Sequence, residues 1–418
     1  MPHIDKYLNH HAEPEAGELS GDFGAYRFSL VIPVHAEPAV QLERVWERLP
    51  DPETLLVIIV ANAPGGDPAT MAMAEAVTTP RSTTPTGERT KLLTAAGSPD
   101  ILLVDRYTER HRIPAKQGVG LARKIGCDIA LALHQAGVVD SQWLRTTDAD
   151  VVLPPDYLKP VSSDAVAMLY PFEHCVEPGA TASENLALQL YEIYLLYTVL
   201  GLRRAGSPYA YPTIGSTIAC RADAYAAVRG FPRRATGEDF YLLNKLRKIG
   251  AVSMINGQPI EVSGRISERV PVGTGQAVKN IAAGHNPLTD YTFEHPQCYE
   301  RLRSLLQYLN ELARHQPADF HHPDSLIQST ADAIGLSDHY TSVQKRGLPA
   351  PVMQKSLHDW FDGLRTRQFI RRLSEEKGER LSLAKLAGTR LLALNDASPP
   401  AVLKHLRQRI FERPGHEP

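Results

Sequence analysis

Residues 143–154 read Trp-Leu-Arg-Thr-Thr-Asp-Ala-Asp-Val-Val-Leu-Pro and place two carboxylates, Asp148 and Asp150, near the end of an apolar, β-prone stretch. Side chains alternate between the faces of a strand, so we expect both carboxylates to project the same way from the carboxyl edge of a sheet. Two carboxylates this close raise each other's pKa unless a cation lies between them. Hard oxygen ligands of this kind suit Mg²⁺ or Mn²⁺ and leave positions for water and phosphate. The segment predicts a metal site for a diphosphate-bearing substrate, and a surface aspartate pair near a turn is the alternative.

Composition limits the class of protein. The chain has 418 residues, 43% of them hydrophobic and 22% charged, which is typical of globular proteins with a large core. The formal net charge of −2 gives no reason to expect a nucleic-acid partner. The four cysteines lie far apart without a Cys-x-x-Cys pair, which predicts neither a zinc site nor a disulfide scaffold and fits a reducing compartment.

Two stretches bear on targeting and membranes. Residues 1–20 are polar and lack the apolar core of a signal peptide. The longest apolar stretch, 186–202, contains Gln189 and Glu192, which predicts a packed amphipathic helix and no membrane span. We therefore expect a cytoplasmic protein.

Strand-like and helical patterns alternate through the first half of the chain. Strands are predicted at 28–34, 55–61, 101–105 and 143–153, and helices at 39–48 and 118–135. This rhythm predicts an α/β fold with a mostly parallel sheet flanked by helices and ligands at the carboxyl ends of the strands. From residue 299 the pattern is helical and charged. We expect an N-terminal extension (1–27), a catalytic domain (28–290) and an all-helical C-terminal region (291–418) that caps the domain or forms a homo-oligomer.

The predicted strand at 28–34 and the predicted helix at 118–135 resemble blocks of a known protein family. Residues 29–37, Ser-Leu-Val-Ile-Pro-Val-His-Ala-Glu, look like the start of the large inverting family two of nucleotide-sugar-dependent glycosyltransferases. Residues 115–126 are similar to that family's next block, a glycine-opened helix with an internal Ala-Arg, and helix N-termini attract phosphate. A salt bridge is the alternative for the arginine. The resemblance implies contacts to the nucleotide or its phosphates from Pro33, His35, Glu37, Lys116 and Arg123. After the second strand the chain departs from the family's acidic turn, and Asn62 is the candidate there for a hydrogen bond to the nucleobase.

The resemblance continues to about residue 290. Residues 211–221 look like the loop and strand that line the donor sugar, which implies roles for Gly215 and Ser216. Gly237-Glu238-Asp239 resembles the family's Glu-Asp pair, whose aspartate is the catalytic base; capping of a helix is the alternative. Residues 263–275 place Arg265 and Arg269 in a Gly-rich turn, where either could contact the diphosphate.

The resemblance implies a GT-A-type, Rossmann-like fold and metal-dependent transfer of a single sugar from a nucleoside-diphosphate sugar to an unidentified hydroxyl acceptor. Mg²⁺ or Mn²⁺ would be held by Asp150, and Asp148 would bind the metal or the ribose of the donor. Asp239 would be the base of an inverting reaction, and Glu238 would support it or contact the acceptor. A Gln-x-x-Arg-Trp signature is missing after Asp239, which favours a single transfer over polymer synthesis. Two alternatives stay open: a retaining transferase of the mannosylglycerate-synthase type with His285 as a third metal ligand, and a nucleotide-binding module without turnover.

Overall fold

The computed structural model of the chain describes residues 2–159, 163–265 and 273–412. The strands in these ranges are β1 Phe28–Val34, β2 Leu55–Asn62, β3 Ser82–Pro85, β4 Thr90–Thr94, β5 Asp100–Arg106, β6 Trp143–Thr146, β7 Val151–Val152, β8 Ala167–Leu169, β9 Phe172–Cys175, β10 Ile218–Arg221, β11 Val252–Met254, β12 Ile260–Ser263, β13 Phe293–Glu294 and β14 Arg380–Leu381. The α-helices are α1 Pro2–His10, α2 Pro14–Gly17, α3 Ala39–Arg44, α4 Pro68–Thr78, α5 Gly118–Gln135, α6 Ala182–Arg204, α7 Ala222–Ala227, α8 Glu238–Arg247, α9 Thr274–Ala282, α10 Pro287–Asp290, α11 Gln297–His315, α12 Ser325–Ala333, α13 Leu336–Gln344, α14 Ala350–Trp360, α15 Gly363–Lys377, α16 Leu383–Ala387 and α17 Pro399–Arg407.

The chain divides into two compact units. The first unit comprises residues up to 178 together with 213–276, and the second unit comprises 179–212 and the residues from 277 onward. The sequence predicts boundaries after residues 27 and 290 instead, and that division into domains stays a prediction. The difference arises because α6, although it precedes residue 290, packs against the C-terminal helices α11 and α17.

A nine-stranded sheet forms the centre of the first unit as the structure describes it. Its order is β11-β8-β10-β6-β1-β2-β5-β4-β3. Only β10 and β4 run against the other seven strands, because β10 is antiparallel to β6 and β8, and β4 is antiparallel to β3 and β5. All eight residues of β2 are buried, as expected for a central strand covered on both faces. The predicted α/β class with a mostly parallel sheet is confirmed.

The predicted strand at 143–153 is wrong in its second half. β6 ends at Thr146, and β7 belongs to a separate three-stranded sheet of order β7-β12-β9. The chain leaves the strand because the Thr147 hydroxyl donates a hydrogen bond to the Ser216 carbonyl at 2.9 Å, and Ala149 and Asp150 form a turn. Asp148 and Asp150 therefore follow the strand in a loop and do not project together from one strand face.

Residues 1–27 are more than an appendage of the first unit. α1 packs on α7, and α2 packs on α5. The Lys124 ammonium of α5 donates hydrogen bonds to Asp128 at 2.6 Å and to the Tyr7 hydroxyl at 2.7 Å, while the Glu13 amide donates to Asp128 at 2.8 Å. The predicted N-terminal extension is thus joined to the unit by a buried polar network.

The second unit is helical apart from one short ladder. β13 and β14 pair antiparallel, so the region after 291 is not all-helical; two-residue strands are too short to leave an alternating pattern in the sequence. Gly201 of α6 lies against Tyr299 of α11, where a Cβ would come within 2.5 Å of the ring, so only glycine permits this approach. Among the described residues, α6 alone is long and apolar enough to cross a membrane, and 61% of its apolar window is buried within the protein. Its Glu192 pairs with Arg407 of α17 at 2.7 Å.

Candidate active site

The topology of the large sheet places the candidate site. The chain runs from β1 to β2 and β5 on one side of β1, and then returns to β6 on the other side. In open α/β sheets, ligands bind outside the carboxyl ends of the strands where the strand order reverses in this way. The loop after β1 carries His35 and Glu37, and the loop after β6 carries Asp148 and Asp150, so both loops flank this point.

A left-handed residue shapes the loop after β1. Ala36 has φ 55°, a conformation that costs a residue with a Cβ about 1–2 kcal/mol. The Thr70 hydroxyl accepts a hydrogen bond from the Ala36 amide at 2.8 Å and itself donates to Asp67 at 2.7 Å, which holds the turn. The turn buries Glu37, which is 4% exposed, and leaves His35 half-buried. Strained backbone of this kind is often found at functional sites.

Arg123 of α5 links the loop after β6 to α8. Its side chain is 3% exposed, and each of its three nitrogens donates to a protein acceptor. Nε donates to Glu238 at 2.9 Å, Nη1 donates to the Thr146 hydroxyl at 2.8 Å, and Nη2 forms an ion pair with Asp148. A Cβ on Gly215 would lie 2.5 Å from Nη2, so glycine is required there. Arg123 thus forms salt bridges, which is the alternative to phosphate contact that the sequence left open.

Glu238 and Asp239 begin α8 directly after Gly237, whose φ of 71° is left-handed. Asp239 is half-buried and accepts a hydrogen bond from the Phe240 amide at 2.6 Å, so it also stabilises the helix start. Burial and the adjacent Glu238 carboxylate raise the pKa of Asp239 above the usual range of an aspartate, against the lowering effect of Arg123. A carboxylate with a raised pKa is a better proton acceptor near neutral pH.

A second arginine faces the remaining acids. Nη2 of Arg265 lies 2.5 Å from Glu37 Oε1 and 3.6 Å from Asp150 Oδ2. The amide of Ser263, at the end of β12, donates to the Asp150 carbonyl at 3.2 Å and brings the two loops together. Burial, and then the carboxylates of Asp148 and Glu37, raise the pKa of Asp150 to about 7. Burial likewise raises the pKa of Glu37.

Among the residues that the structure describes, acidic charge exceeds basic charge in this site. The carboxylates of Glu37, Asp148, Asp150, Glu238 and Asp239 meet two guanidinium groups, those of Arg123 and Arg265. The described residues contain no group of three or more His, Cys, Asp or Glu side chains that could hold a metal ion. Mg²⁺, however, is commonly held by one or two carboxylates together with the phosphates of a substrate. Asp150 and its acidic neighbours fit a cation that is shared with a substrate in this way.

The other predicted site residues have varied positions. Asn62 ends β2 and is 5% exposed, and its side-chain oxygen accepts no hydrogen bond from any described residue. Ser216 is wholly buried behind Thr147, and Pro33 is buried within β1. Lys116 is exposed on the turn before α5. The roles predicted for these residues stay predictions.

For the two remaining predicted residues the described part of the first unit gives no test. His285 is exposed between α9 and α10 in the second unit, and its role as a metal ligand stays a prediction. Arg269 lies outside the described residues. Thr146 and Thr147 belong to no predicted motif, yet both bond to other parts of the site; two polar β-branched residues directly before an aspartate were the signal for such side-chain bonds.

Comparisons with known proteins add a structural likeness. No family model matches the chain, and no curated protein matches it. Among solved structures, the mannosyltransferase PcManGT from Pyrobaculum calidifontis, determined in complex with GDP-Man and Mn²⁺, aligns over 86% of this chain and 94% of its own. The identity is 16% and the TM-score is 0.35. A likeness of this size assigns neither a family nor a function.

Proposed function

We propose that the protein transfers a single sugar from a nucleoside-diphosphate sugar to a hydroxyl acceptor, with Mg²⁺ or Mn²⁺ bound at Asp150 and its neighbours. The observation that carries the proposal is the meeting of five carboxylates with two arginines, among the described residues, at the carboxyl ends of the strands where the strand order reverses. This excess of negative charge suits a divalent cation, and a diphosphate can complete the coordination of that cation.

Each group has a role in this proposal. A divalent cation, when bound, stabilises the negative charge that develops on the departing nucleoside diphosphate. Asp150 and Asp148 hold the cation, and Arg123 fixes Asp148 and Glu238 in one position. The acceptor oxygen forms the new bond to the anomeric carbon as the bond to the diphosphate breaks, and Asp239 takes the proton of the acceptor hydroxyl. Glu238 keeps the pKa of Asp239 raised, which favours this proton transfer.

Ligand binding and turnover test the proposal separately. A panel of nucleoside diphosphates and their sugars, with and without Mn²⁺, should raise the melting temperature, because a ligand that binds only the folded state stabilises it. Asp150→Ala should lose the metal-dependent part of this rise. Asp239→Asn should keep it and lose about 100-fold or more in kcat.

Asp338 offers a matched control for Asp239→Asn. It lies in the first turn of α13 after Gly335, whose φ of 79° resembles that of Gly237. Asp338→Asn removes the same charge from a comparable helix start and should leave turnover unchanged. Full activity of Asp239→Asn would show that the base is another group.

The stereochemistry of the product tests the inverting assignment. Attack by the acceptor from the face opposite the leaving group, with Asp239 as base, inverts the anomeric configuration. NMR of the product should therefore show the configuration opposite to that of the donor. Retention would overturn the role of Asp239 and support the alternative of a retaining transferase.

A further inference from the structure

Arg145 of β6 is a buried cation that the candidate active site does not use. The residue is 1% exposed and is one of the largest fully buried side chains among the described residues. It directly precedes Thr146, whose hydroxyl bonds to Arg123, and successive side chains of a strand project from opposite faces of a sheet. Arg145 therefore lies on the opposite face of the large sheet from Thr146.

The groups around Arg145 are polar or aromatic, but they are neutral. Nε donates a hydrogen bond to the Tyr170 hydroxyl at 3.2 Å. Nη1 donates to the Ser141 hydroxyl at 3.0 Å and to the Trp143 carbonyl at 3.4 Å. The Cζ atom lies 5.1 Å from the centre of the Phe28 ring. In the ranges that the structure describes, no carboxylate forms an ion pair with Arg145.

A second guanidinium group adds to the positive charge in this region. The Cζ atom of Arg27 lies 5.2 Å from the centre of the same Phe28 ring, so two cations approach one aromatic side chain. Asp140, which the chain places next to Ser141, is exposed. Buried charges in proteins are normally paired with an opposite charge, because burial removes their hydration. The face of an aromatic ring offsets only part of a full positive charge.

Tyr157 supplies a hydrogen-bond donor in the same region. It is 1% exposed, and its ring packs on that of Tyr170 with the ring centres 4.3 Å apart. Its hydroxyl forms no hydrogen bond with a described residue. Burial raises the pKa of Tyr157, and the charge of Arg145 opposes this rise, so the hydroxyl lies within the electrostatic reach of the guanidinium. A water molecule could bond to the hydroxyl, but it would leave the charge of Arg145 uncompensated.

We propose that Arg145 and Tyr157 form a binding site for a small monovalent inorganic anion, such as chloride. The guanidinium supplies the positive charge, the Tyr157 hydroxyl donates a hydrogen bond, and Tyr170 and Ser141 hold the guanidinium in place. A monoatomic ion requires the least room among anions, which suits a site whose two main residues are each 1% exposed. The anion belongs to the fold and is no substrate, so the inference is independent of the proposed function.

Thermal unfolding of the full chain tests the proposal. At constant ionic strength, chloride in place of gluconate, which is too large for a buried site, should raise the melting temperature of the wild type by about 2 °C or more along a saturating curve. Screening of surface charges depends on ionic strength, so it is the same in both salts.

Tyr157→Phe separates anion binding from folding, because it removes only one hydroxyl group. In gluconate its melting temperature should equal or exceed that of the wild type, since a buried hydroxyl without a hydrogen bond is unfavourable. The rise with chloride should fall to less than half. Arg145→Gln should abolish the rise. Tyr299→Phe is the matched control, because Tyr299 is likewise fully buried but lies in the second unit, and it should keep the full rise.

Bromide locates the site, because its anomalous scattering identifies it in a crystal. A peak between the Arg145 guanidinium and the Tyr157 hydroxyl, together with a chloride effect that Tyr157→Phe reduces and Tyr299→Phe keeps, supports the proposal. Equal melting temperatures of the wild type in chloride and gluconate overturn it, and so does an undiminished rise in Tyr157→Phe. If Arg145→Gln does not fold, Tyr157→Phe and the bromide peak decide the question.

Discussion

At the scale of single residues, Arg123 is the group on which the geometry of the candidate site depends most. It is buried and bonds to Thr146 at the end of β6, to Asp148 in the loop after β6, and to Glu238 at the start of α8. Removing one partner of a buried ion pair is costly because it leaves an uncompensated charge. Arg123→Met should therefore lower the free energy of unfolding by about 3–5 kcal/mol, measured by urea denaturation.

A neutral substitution of one acid supplies the comparison for this prediction. Glu238→Gln keeps an acceptor for Arg123 Nε and leaves Asp148 as a charged partner, so its cost should be well below that of Arg123→Met. A loss below about 1 kcal/mol for Arg123→Met would mean that water enters and solvates the acids.

The raised pKa of Asp239 makes a prediction about pH. A base acts only when it is ionised, so kcat/KM should fall as the pH drops through this raised pKa, above the usual aspartate value of about 4. Glu238→Gln removes a neighbouring negative charge that contributes to the rise. The acidic limb of the pH profile should then move to lower pH. A limb that stays in place would show that another group controls it.

Short sequence motifs contain the acids of the candidate site, whereas the pairing of its cations depends on residues far along the chain. Asp148, Asp150 and Asp239 occur in short motifs that are visible within a few residues of chain. The environment of Arg123 depends on Glu238, which lies 115 residues away, so no local pattern could show that this guanidinium is buried and paired. For the same reason the bridge from Arg265 to Glu37, across 228 residues, was not foreseen.

At the scale of elements, the apolar pattern of the sequence was a sufficient guide to the bounds of elements that are buried in the sheet or against it. α5 has the predicted bounds, and β1 begins and ends where its apolar run does. The strand predicted through Leu153 was wrong beyond Thr146, because the loop at 147–150 is held by side-chain bonds to distant residues, which compete with the β-propensity of Val151 and Val152. Local propensity cannot report such tertiary bonds.

The N-terminal helices hold the loop that leads to Asp239. Arg233 donates two hydrogen bonds to Glu13, at 2.8 and 3.0 Å. The Gly120 amide of α5 donates to the Arg234 carbonyl at 2.9 Å, and a Cβ on Gly120 would lie 2.5 Å from that oxygen. The segment before α8 is therefore fixed from both sides, and its position sets that of Asp239.

Loss of the anchor at Glu13 should affect catalysis more than binding. Glu13→Gln weakens both bonds to Arg233, so we expect a loss of about 1–2 kcal/mol in unfolding free energy and a several-fold lower kcat. The KM for the donor should hardly change, because Asp239 acts in the chemical step. Steady-state kinetics and urea denaturation measure the two effects.

Glu18→Gln is the control for this variant. Glu18 belongs to the same N-terminal segment and bonds to Arg89 at 2.9 Å through both oxygens, but that pair is partly exposed and lies next to β4. It should cost less than about 1 kcal/mol and leave kcat unchanged. Equal kinetics for the two variants would mean that the N-terminal helices do not position the base.

At the scale of the whole molecule, the assignment of chain segments to the two units was the feature least accessible from sequence. α6 enters the second unit from between two segments of the first, and its packing partners α11 and α17 lie about a hundred and two hundred residues later. Composition shows a change of texture only after residue 290, where charged helices follow one another. Segments that follow one another in the sequence therefore do not always belong to the same compact unit in this protein.

We expect the candidate site to lower the stability of the folded protein, and the dependence of the melting temperature on pH should show this. The pKa of Asp150 is raised to about 7 in the folded protein, against about 4 in an unfolded chain. Between these values the folded state binds more protons, so the wild type loses stability as the pH rises from 4 to 7. Asp150→Asn lacks this titration. Its melting temperature should exceed that of the wild type at pH 8, and the gap should close towards pH 4.

Divalent cations should reverse the order of the two melting temperatures at pH 8, because the Asp150 charge that destabilises the protein is the one that binds the metal. Mn²⁺ with pyrophosphate should raise the melting temperature of the wild type at pH 8 and leave that of Asp150→Asn unchanged. Asp338→Asn, a substitution remote in sequence and exposed, should follow the wild type in both conditions. If Asp150→Asn is less stable than the wild type at pH 8 without metal, the carboxylate contributes to the fold through bonds of its own. The acidic groups would then not lower the stability of the protein as a consequence of forming a cation site.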